Sequence, residues 1–123
     1  MMKNLLLKLY FLVITFISLA PIHLYFPGFF EHDDTKHPFF EYIPLDKVGH
    51  FSMYFLLGAL ILLANPRNRK ALFLGVIYGA LMEIFQYFIP YRSFELMDML
   101  ANTSGIIAAL TLFRLQKPAQ LGQ

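Results

Sequence analysis

The chain has 123 residues, 58% hydrophobic and 15% charged, with a mean hydropathy of +0.56. Soluble domains hold about 45–50% apolar and about 25% charged residues, so this composition excludes an ordinary soluble domain and points to a chain that spends most of its length in lipid. The lack of cysteine removes disulfides, thiolate metal sites and a cysteine nucleophile, and a net charge of +2 spread over short loops gives no basis for nucleic-acid binding.

The first apolar segment covers about 4–25, long enough at 1.5 Å per residue for a hydrocarbon core of about 30 Å. Lys8 lies one turn in and can reach back to the interface. A cleaved signal peptide is the competing reading, with Ser18-Leu19-Ala20 as the small-residue site; Pro21 directly after it makes a poor junction. Residues 26–45 then form a loop rich in proline, acid and paired aromatics, suited to rest on lipid headgroups. His32, Asp33, Asp34 and His37 carry donor atoms for a metal, but no ligand spacing is present, so the loop reads as solvated and no metal site is assigned to it.

Three further spans follow, at about 46–64, 71–89 and 96–115, and the tail 116–123 reads as disordered. Lysine and arginine cluster at the N-terminus (Lys3, Lys8), between the second and third spans (Arg67, Arg69, Lys70) and at the C-terminus (Arg114, Lys117). They alternate with an acidic first loop and a near-neutral third loop. The positive-inside rule therefore predicts an all-α, four-span bundle with both termini cytoplasmic.

Helical spacing decides which polar groups can meet. Asp46, His50, Tyr54 and Gly58 recur every fourth residue; Gly75, Gly79, Glu83 and Gln86 share one face of the third span; Asp98, Asn102, Gly105 and Ala109 share one face of the fourth. Each stripe is polar toward the outer end and small toward the inner end, where small residues let helices approach closely. Counted from Val48, Ile89 and Met99 as outer boundaries, Gln86, His50 and Asn102 lie roughly 3–5 Å deep, and Glu83 and Tyr54 roughly 9 Å. The pattern predicts one pocket opening outward, lined by His50, Tyr54, Glu83, Gln86, Asp98 and Asn102, with Asp46, Lys47 and Arg92 at its rim. Duller roles stand beside these. Asp46 after Pro44 suits a helix N-cap, Lys47 and Arg92 suit headgroup anchors, and Asn102 and the Gly75/Gly79 pair suit helix packing or a dimer face. Glu83 is the hardest to explain structurally, because an ionised carboxylate in lipid must be protonated, paired or hydrated.

The blocks Asp46-Lys47-x-x-His50-x-x-x-Tyr54, Glu83-x-x-Gln86 running into Pro90–Arg92, and Asp98-x-x-x-Asn102-x-x-Gly105 resemble the VanZ-like family in residues, order and spacing. The likeness covers about half the chain and includes the four-span layout. Tyr91 departs from it, where the family's turn usually has glycine. The resemblance implies a bacterial inner-membrane protein that affects cell-surface properties or susceptibility to glycopeptides such as teicoplanin, without altering the peptidoglycan precursor. Some relatives carry a phosphotransbutyrylase label, yet no acyl-phosphate or coenzyme A motif stands here, and no cofactor is specified.

Three functions fit the residues. In the first, the pocket binds an anionic ligand, a membrane lipid or lipid-linked envelope precursor, with Lys47 and Arg92 meeting its phosphate or carboxylate. In the second, an intramembrane enzyme acts on a lipid phosphate or related ester, with His50 as base or nucleophile, Asp46 or Glu83 orienting it, and Asp98, Asn102 and Glu83 able to hold a divalent cation. In the third, a small structural or proton- or ion-transport subunit, which with four spans would need to form a homo-oligomer, relays protons from His50 to Glu83.

Overall fold

The computed structural model describes residues 2–21, 45–90, 92 and 94–116. Among these the chain is all-helical, with α1 at Met2–Leu19, α2 at Leu45–Ala64, α3 at Arg69–Tyr87 and α4 at Leu96–Leu115. The acidic loop with its candidate metal donors, Tyr91, and the tail beyond Gln116 lie outside the described residues.

Helix α1 ends at Leu19, two residues before Pro21, as expected where a helix cannot continue, and the remainder of the predicted first span, 22–25, lies outside the described residues. Helix α2 begins at Leu45, so Asp46 lies inside the first turn, where its charge faces the helix's free amides. Helix α3 starts two residues before the predicted 71 because Asn68 caps it, accepting a hydrogen bond from the Ala71 amide at 3.0 Å. Helix α4 has the predicted bounds.

Among the described residues, three helices are long and apolar enough to cross a membrane: Met2–Leu19, Asp46–Ala64 and Leu96–Leu115. Helix α3 is not among them, since Arg69 and Lys70 open it and Glu83 and Gln86 interrupt its apolar run. The outward faces carry large exposed hydrophobics, including Leu12, Phe16, Phe73, Leu74 and Leu112. A surface of this kind suits lipid contact.

The core follows the helical period. On α2 the buried residues are Tyr54, Leu57, Ile61 and Leu62; they meet Ile106 of α4, Leu72 of α3 and Ile14 of α1. The α2–α4 interface is the most extensive, and two glycines make it close. A β-carbon on Gly58 would lie 3.0 Å from that of Ala109, and one on Gly105 would strike the Phe51 carbonyl oxygen and lie 2.7 Å from the Phe55 amide. Gly75 packs against Ile106 and Ile61, and Gly79 against Tyr54 and Asn102, so both are used within this chain. In lipid, where apolar burial gives little drive between helices, such contacts and interhelical hydrogen bonds hold the bundle.

Helix α1 is fastened by polar groups as well. The Tyr10 hydroxyl donates to the Met53 carbonyl at 2.9 Å, Tyr78 and Thr15 share a hydroxyl–hydroxyl hydrogen bond of 2.5 Å, and the Phe11 ring meets Tyr78 edge-on at 5.0 Å.

Candidate functional site

The polar stripes of α2, α3 and α4 converge where Gly79 and Gly105 bring the helices together. Gly105 lets α4 lie against the α2 backbone between Phe51 and Phe55, while Gly79 leaves room for the Tyr54 ring and the Asn102 side chain. Asn102 and His50 therefore face each other across the α2–α4 seam, with Glu83 reaching them from α3.

His50 Nδ1 lies 2.9 Å from Asn102 Oδ1, and Asn102 Nδ2 donates to Glu83 Oε1 at 3.3 Å. This orientation of the amide is the one chemistry requires, since the reverse would set its oxygen against a carboxylate. With the amide so placed, His50 Nδ1 is the donor to Asn102 Oδ1. The ring is also 3.5 Å from Glu83 Oε1 through Nδ1 and 3.6 Å from Asp98 Oδ2 through Nε2.

Above this lies a second group. Lys47 Nζ is 2.9 Å from Asp46 Oδ2 and forms short ion pairs with Glu95 and with Asp98 Oδ1. Asp98 joins the two groups, one oxygen on Lys47 and the other toward His50. Exposure falls steeply along the cluster: the side chains of Glu95 and Asp46 are 47% and 40% exposed, Lys47 18%, and Glu83 1%. The site is thus open at one end and sealed at the other.

The other predicted residues are placed differently. Tyr54 is buried one turn deeper, 6.4 Å from the Tyr78 ring, and its hydroxyl has no hydrogen-bond partner. Gln86 and Arg92 turn to the end of α1. Gln86 Nε2 donates to the Ser18 carbonyl at 2.9 Å, and Arg92 Nη2 donates to the Ile17 and Ala20 carbonyls, each at 3.0 Å. These acceptors include carbonyls freed at a helix C-terminus, where a cation is favoured. The two rim cations thus have different partners, Lys47 in the cluster and Arg92 on α1. Glu95 was not singled out from the sequence. The signal was there, since it precedes Asp98 by three residues, the spacing that sets two side chains on one side of a helix start.

Among the described residues, two sets have the donor atoms and spacing to hold a metal ion: His50, Glu83 and Asp98, and Asp46, Glu95 and Asp98. In the second set the Lys47 ammonium already serves all three carboxylates.

A family model described as VanZ/LLP1 matches residues 4–117. An uncharacterized protein of the yeast Schizosaccharomyces pombe is 37% identical over 73 residues, an alignment covering 54% of this chain and 45% of the relative. The chain thus matches less than half the length of that protein. No solved structure matches the chain.

Proposed function

The chain belongs to the VanZ/LLP1 family, and on that footing we propose that it is a four-span membrane protein that holds an anionic, lipid-linked or envelope ligand at the His50–Glu83–Asp98–Asn102 cluster. The observation that carries this reading is Glu83, fully buried yet with one oxygen, Oε2, that accepts no hydrogen bond. A buried carboxylate so arranged is costly unless it is protonated, or a cation or a hydrogen-bond donor on the ligand completes its environment. The fall in exposure from Glu95 to Glu83 supports entry from one membrane face, with Lys47 at the mouth, where a ligand phosphate or carboxylate would replace Asp46 or Glu95 on its ammonium.

In this reading α3 is the remaining span, its polar face covered by α2 and α4 and its apolar face by lipid. Both termini and the Asn65–Asn68 turn lie on the cytoplasmic side of a bacterial inner membrane, following the lysine and arginine distribution. The consequence for the cell is altered surface composition or glycopeptide susceptibility.

The test is native mass spectrometry of the full chain purified with its co-extracted lipids. Wild type should retain an anionic lipid-linked species that Lys47→Ala loses while remaining folded. Equal retention by the two would reject the reading.

A second reading, hydrolysis or transfer at a lipid phosphate ester, is favoured by the orientation of His50. Its ring is held between Asn102 Oδ1 on Nδ1 and Asp98 Oδ2 near Nε2, which keeps an imidazole nitrogen in place for proton transfer. Phosphate release by purified protein from a lipid phosphate, lost in His50→Gln, separates turnover from binding. Transport is less well supported, because the inner parts of the stripes are Leu57, Gly58, Ile61, Leu72 and Ile106, which offer no polar path.

A further inference from the structure

We infer that His50, Glu83 and Asp98 form a binding site for a first-row divalent metal cation, and that this cation receives the ligand's anionic group. The inference rests on the ligand reading above for the cation's role, but the site itself is argued from four separate features.

The first is geometry. One donor atom from each residue lies within 4.8 Å of the other two. Metal–nitrogen and metal–oxygen bonds of about 2.0–2.2 Å place tetrahedral ligands about 3.4 Å apart. The ring meets the two carboxylates through different nitrogens, Nδ1 at 3.5 Å from Glu83 Oε1 and Nε2 at 3.6 Å from Asp98 Oδ2, so the three donors draw together from within 4.8 Å when one of these nitrogens ligates.

The second is the open valence of Glu83, whose Oε2 is buried in the cluster without a hydrogen-bond donor. A coordinated cation supplies what that oxygen lacks.

The third is the setting of His50. Nδ1 lies 2.9 Å from Asn102 Oδ1, which holds the ring and turns Nε2 toward Asp98 Oδ2. Ligating histidines elsewhere are held in this same way, the non-ligating N–H being given to an oxygen that fixes the ring.

The fourth is charge. Asp46, Glu83, Glu95 and Asp98 gather around one lysine and one histidine. Lys47 balances one of these carboxylates, so an anionic ligand entering the cluster needs positive charge to accompany it. A divalent cation answers both demands, as metal ions bridging protein carboxylates and phosphate oxygens do generally. An imidazole with two carboxylates suits Mn²⁺, Fe²⁺ or Zn²⁺ better than Ca²⁺. Lys47 then orients Asp98 from behind, and Asp46 and Glu95 hold Lys47.

The test uses the full chain in an uncharged detergent, without added lipid, titrated with MnCl₂ and separately with ZnCl₂. Wild type should bind one ion per chain, and pulsed electron paramagnetic resonance of the Mn²⁺ form should show coupling to an imidazole nitrogen. Glu83→Gln and Asp98→Asn should each weaken binding at least tenfold, and His50→Gln should remove the nitrogen coupling. His32→Ala/His37→Ala should leave all three signals unchanged, separating the cluster from the acidic loop. The inference is overturned if wild type binds no ion. It is equally overturned if binding is unchanged in Glu83→Gln and Asp98→Asn, or if the loop variant removes it. Wild type and its nitrogen coupling decide the matter even where a cluster variant fails to fold. Metal binding with no retained anionic lipid would reject the ligand reading alone; retained lipid with no metal would reject the cation alone.

Discussion

His50 Nδ1 and Asn102 Oδ1 stand 2.9 Å apart across the seam between α2 and α4, and the other end of the Asn102 amide reaches Glu83 on α3. A single carboxamide therefore ties together three helices and fixes the histidine's tautomer.

Asn102→Leu should remove both hydrogen bonds and leave Glu83 Oε1 short of a donor in a sealed site. A buried group so stranded costs about 1–3 kcal/mol. The expected result is a lower midpoint of thermal unfolding in detergent, together with loss of the fixed Nδ1–H tautomer in ¹⁵N spectra of His50. An unchanged tautomer would show that Asn102 does not set it.

Gly105→Ala should be far more damaging than Gly49→Ala. A β-carbon at Gly105 meets backbone atoms of Phe51 and Phe55, which cannot move aside without shifting α2, whereas one at Gly49 meets nothing within 4 Å. Overpacking typically costs about 1–3 kcal/mol, and here it should also displace His50 and Asn102. Gly49→Ala should be neutral or slightly stabilising, since alanine is the better helix former by about 1 kcal/mol. Comparing the unfolding of the two variants checks the pair.

Arg92→Ala should act first on α1. Its guanidinium serves the Ile17 and Ala20 carbonyls, and hydrogen bonds to charged groups contribute about 1.5–3 kcal/mol. Hydrogen exchange should rise selectively in the last turn of α1, and Gln86→Ala should add to it through Ser18. If exchange in α1 is unaffected while anionic-lipid retention collapses, Arg92 works at the ligand instead.

Tyr54→Phe should leave stability unchanged or raise it slightly, because the buried hydroxyl it removes has no partner. If the same variant weakens retention of the anionic lipid, the hydroxyl is reserved for the ligand. The two measurements together assign it.

Much of the architecture is legible along the chain. The four-residue recurrence of Asp46, His50, Tyr54 and Gly58, and the 4, 3, 4 spacing of Asp98, Asn102, Gly105 and Ala109, require only helical geometry to become stripes that turn inward along their length. Glu83 draws attention because an ionisable group in an apolar run has few alternatives to a specific environment. Helix ends are less legible: Asn68 extends α3 backward by capping it, while Pro21 cuts α1 short. Both are local effects that a hydropathy reading averages away.

Taken alone, the sequence determined that the chain is helical, lipid-facing and VanZ-like, and which residues share a helix face, because composition and periodicity are properties of the chain itself. The tertiary structure decided who partners whom. Lys47 and Arg92 read alike as rim cations, yet one lies among carboxylates and the other caps α1, since that choice depends on where α1 docks and no spacing within α3 or α4 encodes it. Glu95 joined the cluster for the same reason: only the approach of α2 to the start of α4 brings Lys47 within its reach. The distances among His50, Glu83 and Asp98, on which a cation site depends, follow from the close α2–α4 contact that Gly105 permits and the room that Gly79 leaves on α3.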